Sequence, residues 1–298
     1  MKFKKLRLQP MSVKVYTLNS FAKTAEGGNP AGVVFDSDSF SEQRMMDISK
    51  QVGFSETAFV QKSSVADFKV RFFTPNAEVD LCGHATVASY YLMFKLGLIK
   101  PGQYTQETKA GLLNLEVQPN GTIFMNQTLP QFFDLVDKDE LAYTLGIKTS
   151  QFHPTLPAQI VSTGLKDIMI PIGSLRDLIA VEPNFDLISQ TSKKYGTIGY
   201  HLFTLETKYG STAQCRNMAP LYDIPEESAT GTSNGALSCY LYKQGVITPE
   251  QASHLIFEQG YTMGKPSEIL ASLKVSGDNI TEVRVGGIAT NIQEIEVF

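Results

Sequence analysis

What most constrains the fold of this chain is that it reads as one passage written twice. Arg71-Phe72-Phe73-Thr74-Pro75 recurs as Arg216-Asn217-Met218-Ala219-Pro220, each after an alternating run, Asp67-Phe68-Lys69-Val70 and Ser211-Thr212-Ala213-Gln214. Each pattern suits a strand that stops at a proline, which has no N–H to offer a ladder. Cys82-Gly83-His84-Ala85-Thr86 begins seven positions after Pro75, and Thr230-Gly231-Thr232-Ser233-Asn234 begins ten after Pro220. From there the spacing is locked: Gly83 to Gly97 and Gly231 to Gly245 are both 14 apart. Val87, Ala88, Tyr91, Leu92 and Leu96 lie between the first pair, and Ala236, Leu237, Tyr240 and Leu241 between the second. Apolar residues three and four apart, closed by glycine, predict a buried helix with a left-handed stop in each copy. A looser echo is read upstream, between residues 53–60 and 164–170. The equal glycine spacing and the two Arg-x-x-x-Pro strands favour duplication over chance resemblance.

The length, 298 residues, accommodates two domains of about 100–200 residues each. With 42% hydrophobic and 19% charged residues, the chain has the composition of a soluble globular protein. Cys82, Cys215 and Cys239 are too few, and odd in number, for a disulfide scaffold, so a reducing, cytoplasmic compartment is expected. A net charge of −4 provides no positive field for nucleic acid or an acidic membrane surface. The basic cluster Lys2, Lys4, Lys5 and Arg7 precedes Leu8-Gln9-Pro10, not the apolar run of a secretion signal, and no stretch approaches the roughly 18 apolar residues of a membrane span. The cluster reads as a frayed tail, with Met11 as an alternative start.

The predicted strands are 12–18, 31–35, 57–62, 67–74, 112–117, 122–127, 159–162, 167–171, 201–206, 212–219, 268–275, 281–288 and 292–297. Helices are predicted at 40–52, with Ser39 and Glu42 as a capping box, and at 84–96, 138–145, 174–179, 185–194, 232–244 and 249–258. Strand-rich halves around one buried helix each predict an α+β fold, with the joint near Thr128-Leu129-Pro130.

The repeated glycines stand where a strand turns into a helix, so free N–H groups of two first helical turns point outward. Such an end carries roughly half a positive charge with its donors already aimed. If the halves face each other across a two-fold axis, both ends converge on one cleft and stabilise a carboxylate or developing enolate there. His84 opens the first helix, and serves structure as readily as catalysis until a partner is found. Glu56, between bulky apolar residues in Phe54-Ser55-Glu56-Thr57-Ala58-Phe59, is read either as a solvated loop glutamate or as a carboxyl that partial burial tunes for proton transfer. Cys82 precedes a helix start, but its counterpart is Thr230, so no two-thiol mechanism is available. No Walker lysine and no Gly-x-Gly-x-x-Gly occurs, and His153, His201 and His254 lack metal-ligand spacing.

Gly28-Asn29-Pro30-Ala31-Gly32-Val33-Val34, Ser55-Glu56-Thr57-Ala58-Phe59-Val60, the Arg71–Pro75 strand and Glu78-Val79-Asp80-Leu81-Cys82-Gly83-His84-Ala85-Thr86 closely resemble the phenazine-biosynthesis (PhzF-like) isomerase family. So do Ala229-Thr230-Gly231-Thr232-Ser233-Asn234-Gly235-Ala236, Glu258-Gln259-Gly260-Tyr261-Thr262-Met263-Gly264-Lys265-Pro266-Ser267 and Val285-Gly286-Gly287. The resemblance implies the diaminopimelate epimerase-like fold: two pseudo-symmetric halves, each a curled, mostly antiparallel, barrel-like sheet around a central helix. The halves would be 1–130 and 131–289, with the last strand, 290–298, returning to the first. It further implies homodimers and proton transfer without cofactor or metal.

By the same resemblance Glu56 removes and redelivers the proton, His84 assists beside Gly83, and Glu227 lies opposite. Gly83, Gly231, Thr232 and Ser55 would hold a small carboxylate-bearing substrate. Two departures fall in this pocket: Glu227-Ser228 stands where the family has Asp-Pro, and Thr232 where it has serine. The expected activity is an isomerase that moves a proton between carbons of such a metabolite. The alternatives are an epimerase or racemase using Cys82, and a non-catalytic anion-binding protein of the same fold.

Overall fold

The duplicated passage becomes two matching runs of strands. A computed structural model describes residues 12–298; the basic cluster Lys2, Lys4, Lys5 and Arg7, and Met11, lie outside them. The first run is β1 (Val13–Ser20), β2 (Asn29–Val34), α1 (Glu42–Val52), β3 (Glu56–Gln61), β4 (Phe68–Phe73), β5 (Glu78–Val79), α2 (Gly83–Lys95), β6 (Gly102–Thr108), β7 (Gly111–Val117) and β8 (Ile123–Asn126). Then come β9 (Gln131–Leu135) and α3 (Lys138–Leu145). The second run is β10 (Gln159–Ser162), β11 (Lys166–Pro171), α4 (Leu175–Ala180), α5 (Phe185–Tyr195), β12 (Gly199–Thr204), β13 (Ala213–Ala219), β14 (Ile224–Glu227), α6 (Gly231–Lys243), β15 (Leu255–Gln259), β16 (Ser267–Ser276) and β17 (Asn279–Gly287), followed by β18 (Ala289–Val297).

The pairings repeat strand for strand. In the first run β2–β3 and β4–β6 are parallel, while β1–β2, β3–β4, β4–β5, β6–β7 and β7–β8 are antiparallel. In the second, β11–β12 and β13–β15 are parallel, while β10–β11, β12–β13, β13–β14, β15–β16 and β16–β17 are antiparallel. Antiparallel pairing of β8 with β17 fuses the runs, so the fold is α+β, with the curled sheets of the two halves joined into one continuous, unclosed sheet. At its ends β18 pairs with β1, and β9 with β10.

Within each run the sheet wraps a helix: α2 touches β1, β2 and β3 as well as β7 and β8, and α6 touches β10, β11, β16 and β17. Both helices are 13 residues long and buried over most of their length, including Tyr90 and Tyr240. Each such side chain removed from water contributes about 1.5–3 kcal/mol. They share one apolar core, and smaller cores lie under α1 and beneath α3, α4 and α5. The three cysteines are free and buried, as expected.

The repeated arginines have a shared purpose. Arg71 forks onto Glu78 at 2.7 and 2.9 Å, and Arg216 onto Glu226 at 2.9 Å twice, tying β4 to β5 and β13 to β14. The three extra residues of the second copy fall in the turn between its arginine and glutamate, where a 3-10 turn forms over Pro220–Tyr222.

Several expectations are corrected. Phe59 lies opposite Arg71 as Leu202 lies opposite Arg216, so the counterpart of β3 is β12 and that of Glu56 is Gly199. The echo of residues 53–60 is therefore at 196–203, not 164–170; Gly53 and Gly196 both end helices with left-handed backbone. The predicted helix 249–258 gives only a 3-10 turn at Gln251–Ser253 before β15, whose backbone is claimed by β13 and β16. Ser41, not Ser39, caps α1 by accepting from the Arg44 N–H. Strands β5, β6, β9 and β14 are also additions to the predicted set; each is short or polar along much of its length.

Candidate active site

The helix starts converge. A Cβ built on Gly83 would meet Met125 Cε at 3.0 Å, and one built on Gly231 would meet the same atom at 3.6 Å. Both N-cap residues, Cys82 and Thr230, have extended backbone, and neither caps its helix with its side chain. Two first helical turns thus bring partial positive charge to one place, the arrangement that binds an anion.

Three titratable side chains line up there. Glu56 begins β3 opposite Ala31, just beyond the left-handed Gly53 that ends α1. His84 lies between the carboxyls, with Nε2 3.3 Å from Glu56 Oε2 and Nδ1 3.9 Å from Glu227 Oε1. Its side chain is 6% exposed against 16% for Glu56 and 20% for Glu227, so the row is shielded from bulk water while both carboxyls keep an open edge. Glu56 Oε2 has no hydrogen-bond alignment with any partner among the described residues. That oxygen is buried and faces the His84 ring, so the exposure of the Glu56 side chain lies away from it.

Glu227 is held at both oxygens. Thr230 Oγ1 donates to Oε2 at 2.6 Å, and Asn29 Nδ2 donates to Oε1 at 2.8 Å while also approaching the Ala229 carbonyl at 3.2 Å and His84 Nδ1 at 3.3 Å. Burial pushes the Glu227 pKa up, against the pull of the His84 charge and of the Thr230 and Asn29 hydrogen bonds. Ser20 Oγ donates to the His84 carbonyl at 2.6 Å and fixes the start of α2 to β1.

The remaining expected residues divide. Gly83 and Gly231 form the converging turns. Thr232 is half-buried after Gly231, its carbonyl accepting from Thr163 Oγ1 at 3.2 Å, and Ser55 is exposed before Glu56. Among the described residues neither hydroxyl bonds to the Glu56–His84–Glu227 row. Ser228 donates to the Gly28 carbonyl at 2.9 Å, so the departure at this position ties the residue after β14 to the one before β2, where Asn29 begins the strand. Asn29, Thr230 and Gln259 join the site beyond the expected set; Gln259 Nε2 donates to the Glu227 carbonyl at 2.7 Å. Asn29 and Gln259 stand in the family-like motifs, which was the one signal that pointed to them.

Cys82 Sγ lies 3.4 Å from His84 Nδ1, and its pKa is raised well above the usual thiol value by burial and then by the Glu56 and Glu227 charges. It stays a thiol. Donor atoms of Glu56, Cys82 and His84 lie within 4.8 Å of one another. No helix among the described residues is long and apolar enough to cross a membrane.

Residues 18–294 match the family model of phenazine biosynthesis-like proteins. The chain is 34% identical over 283 residues to an uncharacterized isomerase, YfhB, of Bacillus subtilis, covering 93% of this chain and 95% of that one. It is 28% identical over 283 residues to the trans-2,3-dihydro-3-hydroxyanthranilate isomerase of Pseudomonas chlororaphis, covering 91% and 94%. Among solved structures, the Bacillus anthracis phenazine biosynthesis protein of the PhzF family superposes with a TM-score of 0.87 at 32% identity, over 97% of this chain and all of that one. A full-length family match and isomerase relatives of the same length therefore make this chain a member of the phenazine biosynthesis-like (PhzF) family of isomerases.

Proposed function

We propose that the protein shifts a proton between carbons of a small, cyclic or unsaturated carboxylate-bearing metabolite, without a cofactor. The observation that carries this is the row Glu56–His84–Glu227 beside two converging helix starts. The helix ends at Gly83 and Gly231, with Thr232 and Ser55 at the rim, hold the substrate carboxylate and the negative charge that develops when a neighbouring C–H is broken. The Glu56 carboxylate takes the proton; the electron pair spreads into the conjugated system; the proton returns to a different carbon, with His84 and Glu227 steering it. Atoms and charge balance with no oxidant or reductant. The named substrate of the Pseudomonas chlororaphis relative is of this chemical class.

The buried, protonated Cys82 argues against an epimerase built on that thiol. We further place the protein in the cytoplasm as a homodimer acting in biosynthesis, with neither nucleic acid nor membrane as partner. The test is incubation with trans-2,3-dihydro-3-hydroxyanthranilate and related unsaturated carboxylates in deuterated water. Product carrying deuterium at carbon supports the reading, and wild-type turnover by Glu56→Gln would remove Glu56 as the base.

A further inference from the structure

Two buried titratable groups of the second run, Asp167 and His201, take no direct part in this reaction, and they belong to a network whose hydrogen bonds diverge from Asn217, one branch ending on Asp167 and the other, through His201, on Glu227. Its orientation is fixed by backbone groups that have only one role each. The Thr230 N–H donates to Gln259 Oε1 at 3.3 Å, and the Glu227 carbonyl accepts from Gln259 Nε2 at 2.7 Å, so the Gln259 amide has a single orientation. The Thr230 carbonyl accepts from Asn234 Nδ2 at 2.9 Å, and the same amide nitrogen donates to Gln259 Oε1 at 2.9 Å. Asn234 Oδ1 is then an acceptor, and its partner at 3.3 Å, His201 Nε2, must carry a proton.

Burial lowers the His201 pKa to about 4, so the ring is neutral and Nδ1 accepts from Asn217 Nδ2 at 3.2 Å. Asn217 also donates to Ser233 Oγ at 3.1 Å, and Ser233 donates to Asp167 Oδ2 at 2.5 Å. At the other end Gln259 Nε2 donates to Thr230 Oγ1 at 3.1 Å, which leaves the Thr230 hydroxyl proton for Glu227 Oε2. His201, Asn217, Asn234 and Gln259 are each no more than 3% exposed, so water cannot readily substitute for a reversed member.

We propose that His201, Asn217, Asn234 and Gln259 are positioning residues, a donor relay that locks the Thr230 hydroxyl onto Glu227 Oε2 and so fixes the carboxyl with Oε1 toward Asn29 and His84. This rests on Glu227 being an acid/base group, but the lock itself is a property of the free protein. It gives Thr230, the counterpart of Cys82, a task that a thiol performs poorly: a strong, fixed donor to a carboxyl.

The test is nuclear magnetic resonance of the free protein labelled at histidine nitrogens and glutamate carboxyl carbons. Wild-type His201 should be the Nε2–H tautomer and remain neutral down to about pH 5. Asn217→Asp keeps the volume but has only acceptors, so His201 must turn an Nδ1–H toward it; the Glu227 titration should then move up. His84, Glu56, Cys82 and Asp167 also act on Glu227, so the histidine and glutamate signals are followed in the same samples. His201→Gln preserves the acceptor-then-donor order and should keep the Glu227 titration near wild type, whereas His201→Leu should not.

With substrate, Asn217→Asp should lower kcat roughly tenfold to a hundredfold, with KM changed less than about twofold. An Nδ1–H tautomer in the wild type, or an unmoved Glu227 titration in Asn217→Asp, overturns the relay. If that variant does not fold, Thr230→Val must raise the Glu227 titration and Thr230→Ser must restore it; equal behaviour of the two overturns it as well. The resonance readouts need no substrate, so they decide for or against the relay even where the proposed reaction fails.

Discussion

The starts of α2 and α6 have the same scaffold and different chemistry. Both helices have 13 residues, begin at a glycine near Met125 and stop just before a left-handed glycine, Gly97 or Gly245. Behind α2 the side chains are mainly apolar, and the N-cap Cys82 faces His84 as a free thiol. Behind α6, His201, Asn217, Asn234 and Gln259 fill the corresponding space, and the N-cap Thr230 is bonded on both sides. Glu56 in one run corresponds to Gly199 in the other, where a Cβ would lie 2.0 Å from the Met218 carbonyl oxygen. The repeat supplies two helix starts on one plan; in the proposed reaction a proton is taken beside one, and at the other the N-cap holds a carboxyl.

The strongest way to break this contrast is Glu56→Gln. It should reduce turnover by about 10²–10⁴-fold in a deuterium-incorporation assay, because no carboxylate occupies the matching position in the second run. Next come the arginine clamps. Arg216 is 8% exposed and also donates to the Leu178 and Val181 carbonyls at 3.1 and 2.8 Å, whereas Arg71 is 21% exposed. Arg216→Ala should therefore cost about 3–5 kcal/mol in denaturant unfolding, and Arg71→Ala clearly less.

Asp167 gives a smaller, pH-dependent signal. Burial raises its folded pKa to about 7 from 3.8, so between those values the folded state holds the extra proton. Stability from this group is full below about pH 4 and is lost as pH rises through 7, a change on the order of a few kcal/mol. Asp167→Asn should flatten that slope between about pH 4 and 7; an unchanged slope would show that Asp167 is already ionised. Cys82→Ala should have the least effect, less than about threefold in kcat, since a thiol held in its protonated form contributes no base.

The scaffold is legible in the sequence because it rests on local signals. Glycines at fixed spacing, apolar residues at helical spacing and the Arg-x-x-x-Pro strands each have a nearby physical cause, and they locate α2, α6, β4 and β13. Glu56, His84 and Glu227 come from family motifs, and their meeting depends on how β3, α2 and β14 pack, which no local pattern records. The relay is invisible for a related reason: His201 and Asn217 lie on paired strands, and Asn234 and Gln259 on a helix and a third strand. His201 lacks metal-ligand spacing because its partners are amides, and amide partners leave no spacing rule to find. The helix expected at 249–258 fails because Thr248 and Gln251 do start a turn, but Leu255, Phe257 and Gln259 find better partners in β13 and β16.

The pairing of β18 with β1 also sets an order of assembly. Val13 lies opposite Val297, so β1 acquires its outer neighbour only after every strand of the second run has been synthesised. The second run has no such wait, since β9 precedes β10 and each later partner follows in turn. The part of the chain made first is thus completed last, and until β18 arrives the exposed edge of β1 is the point at which a ribosome-bound chain invites mispairing.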